Sequence, residues 1–487
     1  PLADWGFSHL LYCLPHYTGN LAGLFQPSGQ SFPARNGRQS LSIGWEAWYN
    51  IGSGPEKRGQ TLFVLPFVSD PMRSIFMIQD SITSSILSTQ NTTKTPACKK
   101  SLEHHLLRLQ KQIRSCTIAG EHHWKPMLMD KLNICCSRFD DLYAANKSIK
   151  LEWALKSLTI DMVSEFCFGQ SLGALYDDDF MSGPVQVFRA YLHSLHVIKA
   201  FPFVRSISQI LPYAIAKRLS KTIKMANELE SFSRKRVDAF ITAYEGGSKP
   251  NFPTVMERLL TPQEEKNFKR AFASRDEILT MISAGYDTTG ITSMVGIYQI
   301  IRNPAIQSRL LAELKTVLPG PSSEAPYVQI EELPYLSAVI KESLRYASAA
   351  ASRTPRLVPA GGVYLPDGRF IPAGTRVDMA IYHVHYNPDI FPSPREFIPE
   401  RWLDAVSGGS MPDHLVEMNR FLVPFSKGTR SCIGINLAHM KLYNIMAYLI
   451  RRYDFQTDTT DADMRWDDMV VAWFHGDFTV KAKRRSE

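Results

Sequence analysis

The stretch "FSKGTRSCIGINLA", residues 425–438, decides how this chain is read. A lone cysteine, Cys432, sits in a run of Gly, Arg and Ser, and apolar helical sequence follows at once ("INLAHMKLYNIMAYLIRRY"). A thiolate is a strong, soft ligand, and it needs positive charge or donors nearby to stay deprotonated. Gly428 and Gly434 would let the backbone bend tightly around the sulfur. The helix after Cys432 would point its N-terminal amides and the positive end of its dipole at the thiolate. Arg430, two residues away, is placed to pair an acidic cofactor group, and Phe425 would cover the site and keep water out. A metal held by one protein thiolate, with no neighbouring His or Cys, must take its other ligands from a cofactor. Haem iron does so, with four porphyrin nitrogens and one axial cysteine. An isolated cysteine is more often a small core residue, and it is the surrounding pattern that reverses this preference.

Composition narrows the alternatives. The 487 residues suit one large domain or two tightly joined ones. With 44% hydrophobic and 21% charged residues the chain is ordinary globular protein. The formal net charge of +8 is dispersed, apart from the terminal "KAKRRSE", and no nucleic-acid motif accompanies it, so no nucleic-acid partner is expected. The remaining cysteines are Cys13, Cys98, Cys116, Cys135, Cys136 and Cys167. An odd total without regular spacing argues against a disulfide framework, and the lack of any CxxC pair excludes zinc ribbons. A reducing, cytosol-facing compartment fits best. No run of 18 or more apolar residues is present, so nothing in this chain is expected to span a membrane. The start at Pro1 without Met leaves two expectations open: an N-terminal anchor removed, or none to begin with.

Residues 1–100 are rich in Gly, Ser, Thr and Pro and carry little periodicity. From 101 onward amphipathic helical patterns dominate, as in "SLEHHLLRLQKQI", "KPMLMDKLNICCSRF" and "LEWALKSLTIDMVSEFCFG". The longest helical candidate is "SRDEILTMISAGYDTTGITSMVGIYQIIRNP", with Ser274 and Glu277 forming a capping box at its start and Asn303-Pro304 ending it. A helix pair follows, and then short strands with Pro and Gly punctuation ("RTPRLVPAGGVYLPDGRFIPAGTRVDMAIY"). The expected fold is mainly α with a small antiparallel β region in the C-terminal third, an α+β class.

The long helix contains an anomaly. Gly285, Asp287, Thr288, Thr289 and Gly290 crowd its apolar middle. Gly costs about 1 kcal/mol against Ala in a helix interior, and Thr and Asp compete for backbone groups. Either the helix kinks or packs closely against a neighbour there, or a distorted turn presents polar groups to a buried cofactor.

Together these residues resemble the cytochrome P450 family. Phe425, Gly428, Arg430, Cys432 and Gly434 match its FxxGxRxCxG haem-binding signature. "AGYDTT" (284–289) is similar to the oxygen-activating motif of the family's long central helix over the haem. "KESLR" supplies the ExxR pair Glu342 and Arg345, and "FIPERW" (397–402) resembles the segment whose Arg401 joins that pair. The four motifs stand in the family's order across residues 101–487, and the style resembles fungal secondary-metabolism members of the trichodiene-oxygenase-like group.

The resemblance implies a haem-thiolate monooxygenase with haem b. Cys432 would be the axial thiolate, and Asp287 and Thr288 would deliver protons during oxygen activation. Glu342, Arg345 and Arg401 would form a buried structural triad. Haem propionates would be held by Arg430, Arg356 and an early-helix pair, His105 and Arg108, for which "HHWKPM" at 122–127 is a rival with Met where Arg is expected. Substrate walls would be Ile282, Ser283, Ala284, Ala349, Ala350, Ala351, Ser352, Trp473 and Phe474. They are mostly apolar or small, which suggests a compact lipophilic molecule, terpenoid-like in the first instance. Electrons would come from NADPH through an NADPH-cytochrome P450 reductase, with O2 as co-substrate. The expected protein is a monomer on the cytosolic face of the endoplasmic reticulum membrane.

Residues 1–100 form a divergent N-terminal segment that lacks the family's anchor helix, Pro-rich hinge and clear early strands. They are expected to integrate with the catalytic domain at 101–487. Two other functions share the fold: an isomerase or dehydratase that does not use O2, which often loses the acid–Thr pair kept here as Asp287-Thr288, and an inactive haem-binding protein.

Overall fold

The computed structural model describes residues 121–181, 183–190, 221–260, 275–365, 367–403 and 412–486. Within these, α1 (Glu121–Ala144) is followed by a two-residue strand β1 (Ile149–Lys150) and by α2 (Leu151–Phe168). Residues 183–190 are helical. Then come α3 (Lys221–Glu245), α4 (Val255–Leu260), the long α5 (Arg275–Arg302), α6 (Pro304–Val317), α7 (Tyr327–Glu331) and α8 (Pro334–Ala347). Four two-residue strands follow: β2 (Arg356–Leu357), β3 (Val363–Tyr364), β4 (Phe370–Ile371) and β5 (Arg376–Val377). The chain closes with α9 (Ile381–His385), α10 (Asp413–Phe421), α11 (Ile435–Arg452), β6 (Tyr453–Gln456), β7 (Trp466–Met469), β8 (Val471–Phe474) and β9 (Thr479–Arg484). No helix among the described residues is long and apolar enough to cross a membrane.

All strand pairing is antiparallel. One sheet has the order β1–β9–β6, and the others are the pairs β2–β5, β3–β4 and β7–β8. The mainly α fold with small sheets is therefore as the sequence predicts, except that β1 joins the sheet from outside the C-terminal third. The helix expected at 101–113 and the cap residue Ser274 lie outside the described residues.

The core is built around α5 and α2. Nearly every side chain of α2 is buried, including Glu152, Lys156, Ser157, Thr159, Asp161 and Ser164. A buried polar group is tolerated only when it finds a partner. Ser157 donates to the Phe180 carbonyl at 2.7 Å, and Asp161 accepts from the Ala174 and Leu175 amides. Gly169 ends α2 in the left-handed conformation (φ 74°), its amide donating to the Glu165 carbonyl.

Helix α5 makes close crossings where it carries glycine. A Cβ at Gly285 would stand 2.8 Å from Val163 Cγ2, and one at Gly290 3.1 Å from Lys156 Cγ, both on α2. A Cβ at Gly296 would meet Ser343 Oγ of α8 at 2.5 Å and Met446 Cε of α11 at 2.6 Å. The glycines in the middle of α5 thus serve close helix packing, the plainer of the two readings the sequence allows. Asn303 does more than end α5. Its Oδ1 accepts from the Ala305 and Ile306 amides, which caps α6, and Pro304 occupies the first helical position.

Candidate functional site

The loop 425–434 is set by its backbone. Phe425 O accepts from the Cys432 amide at 2.8 Å, closing the loop, and Ser431 donates back to Gly428 O at 3.0 Å. Gly428 has φ 79°, the left-handed region where a side chain is unfavourable, and Ser426 shares that region at φ 57°. Gly434 has φ −91°, which any residue adopts. A Cβ there would stand 4.0 Å from Cys432 Sγ, an ordinary contact. α11 starts at Ile435, three residues after Cys432. Among the four described cysteines, Cys135, Cys136 and Cys167 are buried and Cys432 is exposed. Burial pushes the Cys167 thiol up to about 12, so it is inert. Phe425 is half-buried and packs against His439 of α11, the rings tilted at 49° with centroids 5.1 Å apart.

Two arginines converge near this loop. Arg356, the first residue of β2, donates Nη1 to the Thr354 and Pro355 carbonyls, while its buried Nε has no hydrogen-bond partner among the described residues. Burial, and then the positive charge of Arg430, draw the Arg356 guanidinium below its usual range. Like charges brought together beside an orphaned buried donor are the setting for an anionic group. An exposed thiol beside these guanidiniums fits the iron and propionates of haem. The other cations expected for this role, His105 and Arg108, lie outside the described residues. The rival segment runs through α1, where Trp124 is core, packed on Phe166 at 4.3 Å. No group of three or more His, Cys, Asp or Glu able to hold a bare metal ion occurs among the described residues.

Glu342, Arg345 and Arg401 meet as the sequence suggests. Glu342 Oε1 accepts from Arg345 Nη2 at 2.7 Å, Arg401 Nε at 3.2 Å and the Ile398 amide at 3.0 Å. Its Oε2 accepts from Arg345 Nε at 3.0 Å and Trp402 Nε1 at 2.9 Å. Arg345 spends its other N–H groups on the carbonyls of His385, Pro394 and Glu396. This fully satisfied centre ties α8 to the segment 385–402. His385, which sequence reasoning missed, carries the tie further. Its ring is wholly buried, with Nδ1 on Arg345 O at 3.2 Å and Nε2 accepting from the Val423 amide at 3.0 Å. Val423 lies two residues before Phe425, so His385 connects the ExxR arginine to the start of the cysteine loop. Burial, then the Arg345 charge, lower the ring to about 3, and it is neutral in the fold.

The middle of α5 has two faces. Ala284 is exposed and Thr288 half-buried, whereas Tyr286, Asp287 and Thr289 are buried. Asp287 turns onto α2, where Lys156 Nζ approaches Oδ1 at 2.7 Å while also pairing Glu152 at 2.8 Å. Among the described residues Oδ1 receives no well-directed hydrogen bond, and the contact with Lys156 is an ion pair. Burial raises the Asp287 carboxyl, and Lys156 opposes that rise. Thr288 Oγ1 donates to its own helix at Ala284 O, 2.7 Å away. The next two carbonyls also take side-chain donors: Gly285 O from Lys441 Nζ at 2.6 Å and Tyr286 O from Thr159 Oγ1 at 2.7 Å. The acid and the hydroxyl share one turn, as expected, but they lie on different sides of it.

The proposed substrate walls separate into two groups. Ile282, Ala351 and Phe474 are 3–5% exposed and belong to the packed interior. Ser283, Ala349, Ala350, Ser352 and Trp473 are half-buried, and Ala284 is exposed. The loop after α8 runs beside the β7–β8 hairpin, with Ala349 O accepting from Ala472 and Val470 O from the Ser352 amide. Ser352 Oγ also donates to Asp468 at 2.6 Å. Trp473 stacks on the Arg189 guanidinium, 3.9 Å from its ring centroid, and Trp153 covers Arg189 at 4.5 Å.

The sequence model of the cytochrome P450 family matches residues 85–475. The chain is 49% identical over 472 residues to cytochrome P450 monooxygenase macH of Penicillium terrestre, with 91% of this chain and 90% of that protein covered. It is 32% identical over 392 residues to cytochrome P450 monooxygenase penB of Penicillium thymicola, covering 78% and 84%. It is also 32% identical over 358 residues to the N-acetyltryptophan 6-hydroxylase ivoC of Emericella nidulans, covering 72% and 68%.

Proposed function

The chain belongs to the cytochrome P450 family and is a haem-thiolate monooxygenase, and on that premise we propose which of its residues bind, orient and supply protons. The exposed Cys432, in a loop closed by the Phe425 carbonyl and carrying Arg430, whose charge acts on the partly orphaned Arg356, is the observation that carries the assignment. Cys432 would hold the haem iron through its thiolate, with Phe425, Gly428 and Gly434 shaping its loop. Haem b, when bound, would supply the redox-active iron that O2 activation requires. Arg356 and Arg430 hold the propionates, with Arg108 and His105 as the expected third contact. Glu342, Arg345 and Arg401 fix the shape of the thiolate side.

Asp287 and Thr288 serve oxygen activation as a proton pair. The raised Asp287 carboxyl gives up its proton nearer to neutral pH than an exposed aspartate would. It is reached from the rear of α5 by the buried chain of Glu152 and Lys156. The half-buried Thr288 hydroxyl donates to Ala284 O and keeps an oxygen lone pair free to accept a further hydrogen bond. An isomerase would need no such pair.

Of the residues assigned to the substrate wall, Ser283, Ala284, Ala349, Ala350, Ser352 and Trp473 are accessible, and Ile282, Ala351 and Phe474 are packed in the interior. These small and apolar groups favour a compact lipophilic substrate, terpenoid-like, in fungal secondary metabolism. Hydroxylation of an aromatic acid derivative is the second reading, favoured by the N-acetyltryptophan 6-hydroxylase relative. The enzyme works with a redox partner and O2. That partner is an NADPH-cytochrome P450 reductase, and the protein is a monomer at the cytosolic face of the endoplasmic reticulum, with the catalytic domain at 101–487.

A reduced, carbon-monoxide-bound difference spectrum of the purified protein beside Cys432→Ser tests the core assignment. A strongly red-shifted Soret band in the parent, lost in the variant, is expected. A band indifferent to the substitution removes Cys432 as ligand. Titration of the same preparation with farnesol and with N-acetyltryptophan, followed as a Soret shift, separates the two substrate readings.

A further inference from the structure

Lys441 lies on α11, nine residues beyond Cys432, and is 1% exposed. Its ammonium reaches α5 and donates to Gly285 O at 2.6 Å, the hydrogen-bond partner it has among the described residues. Among the described residues no carboxylate forms an ion pair with it. Placing an amine in the core with a single carbonyl acceptor is costly. Simple filling of that space would be met as well by an apolar chain of similar length. The cost is accepted at one particular atom, the carbonyl inside the turn that bears Asp287 and Thr288.

That turn is held from three directions. Thr288 itself bonds Ala284 O, Thr159 of α2 bonds Tyr286 O, and Lys441 of the thiolate helix bonds the carbonyl between them. Of these, Lys441 is the contact that joins the helix after the cysteine directly to this turn.

We propose that Lys441 is a positioning residue for oxygen activation: it pins the Gly285 carbonyl to the helix that follows Cys432, and so fixes the turn of Asp287 and Thr288 relative to the thiolate. The proposal rests on the proton-pair reading of Asp287 and Thr288 given above. Its structural half, the pinned turn, stands apart from that reading and is measured separately.

The test uses the full-length, haem-loaded protein with Lys441→Met, which keeps length but no donor, and Lys441→Arg, which keeps a charged donor. Amide hydrogen exchange is followed over residues 284–290, with 291–302 as an internal control. In Lys441→Met the turn exchanges roughly tenfold faster, as expected when one charge-assisted hydrogen bond is lost. The control segment and the reduced carbon-monoxide band stay as in the parent, and Lys441→Arg restores slow exchange. Exchange over 284–290 unchanged in a fully loaded Lys441→Met protein overturns the proposal, as does an equal loss of protection across both segments. If Lys441→Met takes up no haem, Lys441→Gln decides: slow, parent-like exchange in a protein whose amide is too short to reach Gly285 overturns the proposal, and fast exchange confined to the turn supports it. Should Asp287→Asn and Thr288→Ala leave turnover intact while the exchange result holds, the proton-pair reading fails and the pinned turn survives.

Discussion

Replacing His385 by glutamine should cost stability at neutral pH and progressively less in acid. In the fold the imidazole is neutral, donating from Nδ1 to Arg345 O and accepting at Nε2 from the Val423 amide. A second ring proton would confront the Val423 N–H and add a cation beside Arg345. The folded ring accordingly titrates at about 3, against an ordinary value of 6.5. The unfolded chain takes up a proton below about 6.5 while the native protein does not, so the native state loses ground as pH falls. The contribution is complete above pH 6.5, declines below it, and is exhausted near pH 3. The full gap of 3.5 pH units corresponds to about 5 kcal/mol at 1.36 kcal/mol per unit. By pH 5.5 about 1.4 kcal/mol is gone, and by pH 5 about 2 kcal/mol.

Carboxylates also titrate in this range, and buried Asp161 and Asp287 among them begin early. They do so in both proteins, so the difference between parent and His385→Gln isolates the histidine. Urea unfolding at several values between pH 5 and 7.5, followed by tryptophan fluorescence, should show the parent's advantage shrinking by about 1.4 kcal/mol per pH unit below 6.5. An advantage that is flat across this range would refute the reasoning, because it would mean that the ring is not held neutral between Arg345 and Val423.

Glu342→Gln should be more damaging than its small change in shape suggests. It leaves the fully buried Arg345 and its neighbour Arg401 without a counter-charge, at a cost of about 3–5 kcal/mol, read as a lower urea midpoint and reduced haem content. Gly285→Ala places a methyl 2.8 Å from Val163 Cγ2 and should cost about 1–3 kcal/mol. Val163→Ala in the same chain should recover part of that loss, and strict additivity of the two changes would rule out the predicted clash.

Legibility from the sequence followed the range of the contacts. The cysteine loop was readable because its determinants are local: Phe425 O closes on the Cys432 amide seven residues later, and Gly428 supplies the positive φ in between. Its other glycine was misread. Gly434 takes an ordinary φ, and a Cβ there would make only an ordinary contact with the sulfur, so neither bend nor space demands glycine at that position. The Glu342–Arg345 pair was readable as an i, i+3 ion pair on one helix face. The Trp402 indole N–H on the same carboxylate had a faint signal, an aromatic with a donor next to Arg401.

Where function depends on the direction a side chain takes, pattern alone was insufficient. Adjacent helical residues diverge by about 100°, so the motif fixed that Asp287 and Thr288 share a turn and left open which of them faces the neighbouring helix. The answer came from Lys156, whose partnership with Glu152 is visible at i, i+4 and whose partnership with Asp287 spans 131 residues. His385 and Lys441 are harder still, because they act on backbone atoms, and a carbonyl or amide leaves no mark in the residue code. Yet one sits between the ExxR arginine and the cysteine loop and the other between the helix after that loop and the oxygen-activating turn. The recognisable motifs supply the reactive groups, and buried side chains bound to backbone atoms set the geometry between them. Substitutions at His385 and Lys441 should therefore disturb the relation between motifs while leaving each motif chemically whole.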